Sequence, residues 1–220
     1  MKKKIKCIFF DLDGTLVDSG PDLLKTLNHL LVQNNLSEIS IDYLGNLVGG
    51  GAELMIKRGF SFFNKNVSQK KTKSLVKEFL DYYKENCSVF SEPYKGVSNT
   101  LKKLKLKNIC MTVCTNKKQE LAEKVLKEFK LEKYFDIILG SSTLFKLKPH
   151  SEMLEYLINK VDFSSNEICM IGDSDNDIIP ARKLNLRTIF VNYGYGEIEK
   201  SQCDFVIDQF SDIEKIILKS

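Results

Sequence analysis

The sequence has few of the residues that build zinc sites or disulfide frameworks. It contains 2 histidines and 6 cysteines in 220 residues, and no two cysteines form a C-x-x-C pair. A site made of cysteine and histidine ligands would therefore have little to draw on. Most of the cysteines lie in short apolar runs, which favours free, buried thiols in a reducing compartment. A chain of this length can also bury a sizeable core without disulfides.

Long apolar runs and dense clusters of basic residues are missing as well. The apolar stretch after the basic N-terminus stops at Asp11, so it is too short for a signal sequence or a membrane span. Basic residues number 33 against 29 acidic ones, a net charge of only +4. The lysines clustered between residues 102 and 107 lie where a helix is predicted to end, which indicates a solvated face. We therefore expect a cytoplasmic protein that binds neither nucleic acids nor membranes.

Short apolar runs alternate with amphipathic helical patterns over most of the chain. The first run, Ile5 to Phe10, shows no polar alternation, as in a strand buried on both faces of a parallel sheet. Similar runs follow at residues 109–113, 137–139, 168–171, 188–191 and 205–207. Strands separated by helices predict an α/β fold with a doubly wound, Rossmann-like parallel sheet.

This rhythm is interrupted directly after the first strand. Residues 16–88 contain several helical periodicities and no clear strand. We therefore predict a small all-helical cap domain at residues 16–88, inserted into an α/β core formed by residues 1–15 and 89–220. Three consecutive glycines, Gly49, Gly50 and Gly51, interrupt the insert with a flexible loop.

Polar side chains cluster where the predicted strands end. In open α/β sheets, active sites form at the carboxyl ends of the strands. The polar groups at or just after these ends are Asp11 and Asp13 for the first strand, Thr115 and Asn116 for the second, Lys148 for the third, and Asp173, Asp175 and Asp177 for the fourth.

Asp11 and Asp13 indicate a cation site. They are two residues apart, so both carboxylates leave the strand end toward the same face. Like charges that close together are unfavourable unless a cation or a proton lies between them. Mg²⁺ prefers oxygen ligands, and Asp173 can complete its coordination together with water.

The four segments resemble, in order, the four signature motifs of the haloacid dehalogenase superfamily. The position of the helical insert and the stretch from Tyr94 to Val97 are similar to the phosphoglycolate phosphatase group, except that Lys95 stands where a proline is usual. The resemblance implies that Asp11 attacks phosphorus to form an aspartyl-phosphate. It also implies that Asp13 is the general acid and base, and that the backbone carbonyl of Asp13 is a metal ligand.

The resemblance also implies roles for the remaining candidates. Mg²⁺ would be held by Asp11, Asp13 and Asp173, with Asp177 orienting the metal shell or Lys148. The substrate phosphate would be bound by Thr115, Asn116 and Lys148. The loop formed by Gly49, Gly50 and Gly51 would help to select the substrate.

The sequence thus predicts a Mg²⁺-dependent phosphatase that acts on a small phosphorylated metabolite, as a monomer or a homodimer. The first candidate substrate is 2-phosphoglycolate. An inorganic pyrophosphatase and a phosphomutase of the β-phosphoglucomutase type remain open as alternatives. A dehalogenase is disfavoured because its chemistry needs no second carboxylate such as Asp13. A non-catalytic binding protein is disfavoured because the nucleophile Asp11 and its partner motifs are intact.

Overall fold

A computed structural model describes residues 4–198 and 202–218. Its main feature is a six-stranded parallel sheet in the order β5-β4-β1-β6-β7-β8, and a separate antiparallel pair joins β2 to β3. The strands are β1 Cys7–Phe10, β2 Val17–Asp18, β3 Glu92–Pro93, β4 Cys110–Lys118, β5 Ile137–Ser141, β6 Ile168–Gly172, β7 Arg187–Val191 and β8 Phe205–Ile207. The predicted doubly wound α/β fold is confirmed.

The first strand lies in the middle of this sheet because its side chains are apolar on both faces. Ile8 and Phe10 belong to one apolar cluster, whereas Cys7 and Phe9 belong to a second cluster on the opposite face. All four side chains are fully buried. Strand β1 therefore has a packed layer on each side, as a continuous apolar run without alternation predicts.

Nine α-helices fall within the described residues. They are α1 Gly20–Gln33, α2 Leu44–Leu47, α3 Ala52–Phe62, α4 Gln69–Asn86, α5 Val97–Leu106, α6 Gln119–Glu128, α7 Glu152–Ile158, α8 Asp175–Lys183 and α9 Ile213–Ile217. In the part of the chain that the structure describes, none of these helices combines the length and the apolar character that crossing a membrane requires.

Residues 20–86 contain the four helices α1–α4 and, throughout this fully described stretch, no strand. The chain enters the stretch through β2 and leaves it through β3, and these two strands pair with each other. Helices therefore occupy residues 20–86 as predicted, whereas β2 lies within the range 16–88 that was predicted to contain no strand. The division into a core and a separate cap domain stays a prediction.

Candidate active site

The carboxyl end of β1 lies at the point where the winding of the sheet reverses. From β1 the chain adds β4 and β5 on one side, and β6, β7 and β8 on the other. Such a reversal leaves a crevice at the strand ends where α/β proteins bind ligands. A cavity of about 370 Å³ occupies this position, and every site residue predicted from the sequence lines it: Asp11, Asp13, Gly49, Gly50, Gly51, Thr115, Asn116, Lys148, Asp173 and Asp177.

Gly14 allows the chain to turn immediately after the first two aspartates. Its φ of 83° lies in the left-handed region, which side chains with a Cβ rarely adopt. A Cβ at this position would also overlap the Asp173 carboxylate. The glycine is thus required both by the turn and by the close approach of Asp173 to the backbone.

Lys148 joins two of the carboxylates. Its ammonium donates to Asp11 Oδ1 at 2.9 Å, to Asp177 Oδ1 at 2.5 Å and to the backbone carbonyl of Cys114 at 2.6 Å. These three acceptors use all three donors of a lysine. Burial alone would lower the pKa of Lys148. The charges of Asp11 and Asp177 raise this pKa by more than burial lowers it, so the net shift is upward. The lysine therefore remains a buried cation beside Asp11.

The environment of Asp11 makes its charged form costly in the absence of a further cation. Burial raises its pKa most, the charge of Lys148 lowers it, and Asp177 and Asp13 raise it again, giving a value of about 7. Asp173 shows the same direction, because burial and then the charges of Asp177 and Asp11 raise its pKa well above the ordinary value. A site in which burial and neighbouring carboxylates disfavour the charged form of each carboxylate is suited to bind a cation.

The residues present fit a hard divalent cation. Asp11, Asp173 and Asp177 each place a carboxylate oxygen within 4.8 Å of the others, and all three residues are buried. Oxygen ligands of this kind suit Mg²⁺. The Asp173 Oδ2 atom is held by the backbone amides of Tyr195 at 2.8 Å and Gly196 at 3.3 Å, which fixes the orientation of the carboxylate.

Asp177, unlike Asp175, faces the cavity. Its Oδ1 accepts from Lys148, and its Oδ2 accepts from the backbone amide and the hydroxyl of Ser174 at 3.3 and 3.2 Å. Both oxygens of Asp177 thus have protein partners, which is compatible with its predicted orienting role, and that role stays a prediction. Asp175 is exposed.

Asp13 has partners that differ from those of the other three carboxylates. Its Oδ1 accepts from the Ser19 hydroxyl at 2.5 Å, and both of its oxygens accept from Lys117 Nζ, at 2.7 and 2.9 Å. The side chain of Asp13 lies outside the carboxylate cluster. A contribution of Asp13 to a metal would therefore come from its backbone carbonyl, as the sequence resemblance implies.

Thr115 and Asn116 lie within β4, opposite Lys148. Thr115 is buried, and its hydroxyl accepts from the backbone amide of Lys117 at 3.1 Å. The side chain of Asn116 donates to the carbonyl of Lys148 and accepts from its backbone amide, each at 2.8 Å. Asn116 thus positions Lys148 with its side chain, and its predicted phosphate contact would have to come from its backbone.

Sequence reasoning missed Lys117. Lys117 is one of many lysines in the chain, and nothing in the sequence around it indicates burial. In the structure, β4 continues to Lys118 with a register irregularity between Cys114 and Lys118. Lys117 therefore lies two residues beyond Thr115 on an extended chain, and its side chain is only 4% exposed beside Asp13.

The triple-glycine loop forms part of the cavity wall opposite these strand ends. Gly49, Gly50 and Gly51 all have φ between 80° and 94°. The guanidinium of Arg58 in α3 donates to the carbonyls of Leu47, Val48 and Gly49 at 2.9–3.3 Å. The loop is therefore held from behind by a helix that follows it. Its predicted role in substrate selection is compatible with this position.

Comparisons with known proteins agree with this geometry. A family model described as haloacid dehalogenase-like hydrolase matches residues 8–191. A phosphoglycolate phosphatase of Agrobacterium fabrum is 35% identical over 217 residues, covering 96% of this chain and 93% of the relative. One from Mannheimia succiniciproducens is 34% identical over 224 residues, covering 99% and 100%. A crystal structure from Haemophilus somnus, described as a predicted phosphoglycolate phosphatase, superposes with a TM-score of 0.90 at 33% identity and covers 97% and 98% of the two chains.

Proposed function

The chain belongs to the haloacid dehalogenase-like hydrolase family and is a phosphoric monoester hydrolase, and from this premise we propose that it is a Mg²⁺-dependent phosphatase whose nucleophile is Asp11. The family predicted from the four sequence motifs is confirmed. The first candidate substrate is 2-phosphoglycolate. Relatives that are about 34% identical to this chain over nearly their whole length are named phosphoglycolate phosphatases.

One observation carries the assignment of Asp11. Its carboxylate is buried at the central strand end, and Lys148 holds one of its oxygens at 2.9 Å. Asp173 and Asp177 each offer an oxygen within 4.8 Å of the same group. A fixed carboxylate beside a buried cation is positioned to attack an electrophile that carries negative charge.

The proposed reaction has two steps. An Asp11 oxygen forms a bond to phosphorus while the bond between phosphorus and the ester oxygen breaks, and Asp13 gives its proton to that leaving oxygen. Asp13 then takes a proton from water, the water oxygen attacks phosphorus, and the Asp11 carboxylate is released with inorganic phosphate. Mg²⁺ bound at the carboxylates would neutralise the phosphoryl oxygens so that an anion can approach.

The chain's own residues provide the remaining requirements. Lys148 stabilises the attacking carboxylate through its hydrogen bond and the phosphoryl group through its positive charge alone, and Thr115 offers a hydroxyl at the neighbouring strand end. The cavity of about 370 Å³ suits a small ester. Apolar side chains of α4, such as Phe79, line it and limit the access of water.

Phosphate release from a panel of phosphorylated compounds tests the proposal. The panel holds 2-phosphoglycolate, pyrophosphate, β-glucose 1-phosphate and a nucleotide, each with Mg²⁺ and with a chelator. We expect Mg²⁺-dependent release, fastest from 2-phosphoglycolate. Formation of glucose 6-phosphate without free phosphate would identify a mutase, and fastest release from pyrophosphate would replace the substrate assignment.

Asp11→Asn tests the nucleophile. Because an amide is a poor nucleophile, we expect turnover to disappear while the fold and the binding of inorganic phosphate are kept. Asp42→Asn, on the surface, is the matched control and should retain wild-type turnover. Substantial Mg²⁺-dependent turnover by Asp11→Asn would contradict the covalent mechanism.

A further inference from the structure

The cavity contains a second buried lysine that the proposed chemistry does not use. The Lys117 side chain is 4% exposed, and its ammonium contacts both oxygens of Asp13 at 2.7 and 2.9 Å. It also lies over the ring of Tyr83, 4.6 Å from the ring centre. The Lys148 ammonium donates to three acceptors of the protein, whereas the Lys117 ammonium contacts one carboxylate and lies beside Tyr83.

Tyr83 brings an unused polar group to the same place. It lies on α4, is 1% exposed and lines the cavity together with Asp13 and Lys117. Its hydroxyl makes no hydrogen bond of ordinary geometry within the described residues, although Lys117 lies close enough to affect its pKa. A buried hydroxyl without a partner is costly. Its presence beside a cation indicates that a ligand supplies the partner.

The position of Asp13 fixes what such a ligand must be. The leaving oxygen of a bound ester has to lie within hydrogen-bond reach of the Asp13 carboxyl. Lys117 Nζ is 2.7 Å from that same carboxyl, so it lies within about two hydrogen-bond lengths of the leaving oxygen. An anionic group one carbon beyond the ester carbon can reach the ammonium from there, and the Tyr83 hydroxyl could donate to it.

We propose that Lys117 and Tyr83 form the subsite that recognises a carboxylate on the leaving group, and that they select carboxylated phosphate esters over neutral ones. The proposal rests on the proposed phosphatase function and deepens it. A lysine ammonium is charged at neutral pH, so Lys117 can pair with a carboxylate of the substrate.

Other cationic groups are less suited to this role. Among the described residues that line the cavity, the cations are Lys117, Lys118 and Lys148. Lys118 is exposed, and Lys148 is fully engaged by its three acceptors. Arg58 spends its Nη1 donor on backbone carbonyls of the glycine loop. Lys117 is thus the cation best placed to meet the tail of the substrate.

Two esters of the same shape test the subsite. Ethyl phosphate differs from 2-phosphoglycolate only in carrying a methyl group where the latter has its carboxylate. We expect Lys117→Met to reduce kcat/KM for 2-phosphoglycolate about 10- to 100-fold more than for ethyl phosphate, and Tyr83→Phe to do so about 3- to 10-fold. The matched controls are Lys127→Met, exposed on α6, and Tyr82→Phe, next to Tyr83, and both should leave the ratio of the two substrates unchanged.

The outcomes separate this proposal from the one it rests on. If the wild-type enzyme releases phosphate from no compound of the panel, the proposed function fails; if it releases phosphate from pyrophosphate but from neither ester, the substrate assignment and the subsite are overturned. If it hydrolyses both, but Lys117→Met and Tyr83→Phe lower both rates equally, Lys117 acts only through Asp13 and the subsite is overturned. Calorimetry in an Asp11→Asn background gives a second readout. There, adding Tyr83→Phe should weaken binding of 2-phosphoglycolate and leave that of inorganic phosphate unchanged; equal effects on both ligands would overturn the subsite.

Discussion

Two buried lysines divide the carboxylates of the site between them. Lys148 pairs with Asp11 and Asp177, whereas Lys117 pairs with Asp13. Asp11 and Asp13 leave the same strand end, yet they have different partners. Two carboxyl groups in different environments can carry out different chemistry, one as nucleophile and the other as proton donor and acceptor.

Asp13→Asn tests the proton-transfer role. Since an amide cannot give or take the proton, we expect kcat for 2-phosphoglycolate to fall about 10²–10⁴-fold with little change in KM. The loss should be smaller for p-nitrophenyl phosphate, whose leaving group needs less help from a proton. Steady-state kinetics with both substrates measure this difference.

Two features make this experiment specific. Asp13→Asn keeps the shape of the side chain, its hydrogen bond from Ser19 and one oxygen that accepts from Lys117, and circular dichroism checks that the loss of the second oxygen leaves the fold intact. A near-normal kcat for 2-phosphoglycolate would remove Asp13 from the acid–base role. An equal loss with both substrates would point to a structural defect instead.

At the scale of single residues, the sequence predicted the positions that follow directly from strand ends. Asp11, Asp13 and Asp173 lie where a parallel sheet must bring its carboxyl ends together. Lys117 could not be predicted in this way, because its burial depends on β4 continuing past Asn116. The spacing of two residues between Thr115 and Lys117 places both side chains on the same face only if the strand extends to Lys117.

At the scale of elements, helix α1 is tied to the distant segment that leads out of α4. Asp22, in the first turn of α1, is buried and accepts hydrogen bonds from the backbone amides of Val89, Phe90 and Ser91 at 2.9–3.1 Å. The Ser91 hydroxyl adds a bond of 2.6 Å. One carboxylate therefore fixes the two chain segments that connect the helices α1–α4 to the large sheet.

Asp22→Asn is expected to weaken this connection. The substitution replaces one carboxylate oxygen, which accepts hydrogen bonds, with an NH2 group, which donates them. This NH2 group would face the backbone amides of residues 89–91, and some of these buried amides would lose their acceptor. We expect the free energy of unfolding to fall by about 1.5–3 kcal/mol, measured by urea denaturation. Asp81→Asn, exposed on α4, is the matched control and should change stability by less than about 0.5 kcal/mol. Equal stability of the two variants would show that the Asp22 contacts contribute nothing.

The sequence predicted elements with a clear apolar pattern better than elements without one. The helices α3 and α5 begin where their apolar periodicity begins, because a periodic face that packs on a core determines the register. Strands β2 and β3 were not predicted. Each has two residues, which is too short for any periodicity, and their pairing joins segments more than 70 residues apart in the chain.

At the scale of the whole molecule, folding brings acidic groups together against their electrostatic preference. In the metal-free protein the pKa of Asp11 is raised to about 7, chiefly by burial. An unfolded chain gives up the same proton near pH 4. Between these two values the folded state holds a proton that the unfolded state has lost, so the contribution of Asp11 to stability falls as the pH rises from about 4 to 7.

Mg²⁺ should reverse this trend, because a metal binds the deprotonated carboxylates and binds only the folded site. We expect the metal-free protein to lose a few kcal/mol of unfolding free energy between pH 4.5 and 7.5, relative to Asp11→Asn measured in the same way. Added Mg²⁺ should stabilise the wild type more at pH 7.5 than at pH 5, and Asp11→Asn much less at either pH.

Taking the difference from Asp11→Asn removes the titration of groups far from the site. If the two proteins show the same pH slope, burial of Asp11 does not control its protonation. If Mg²⁺ stabilises both equally, the ion does not bind at Asp11, and the neutralisation on which nucleophilic attack depends must come from Lys148 alone.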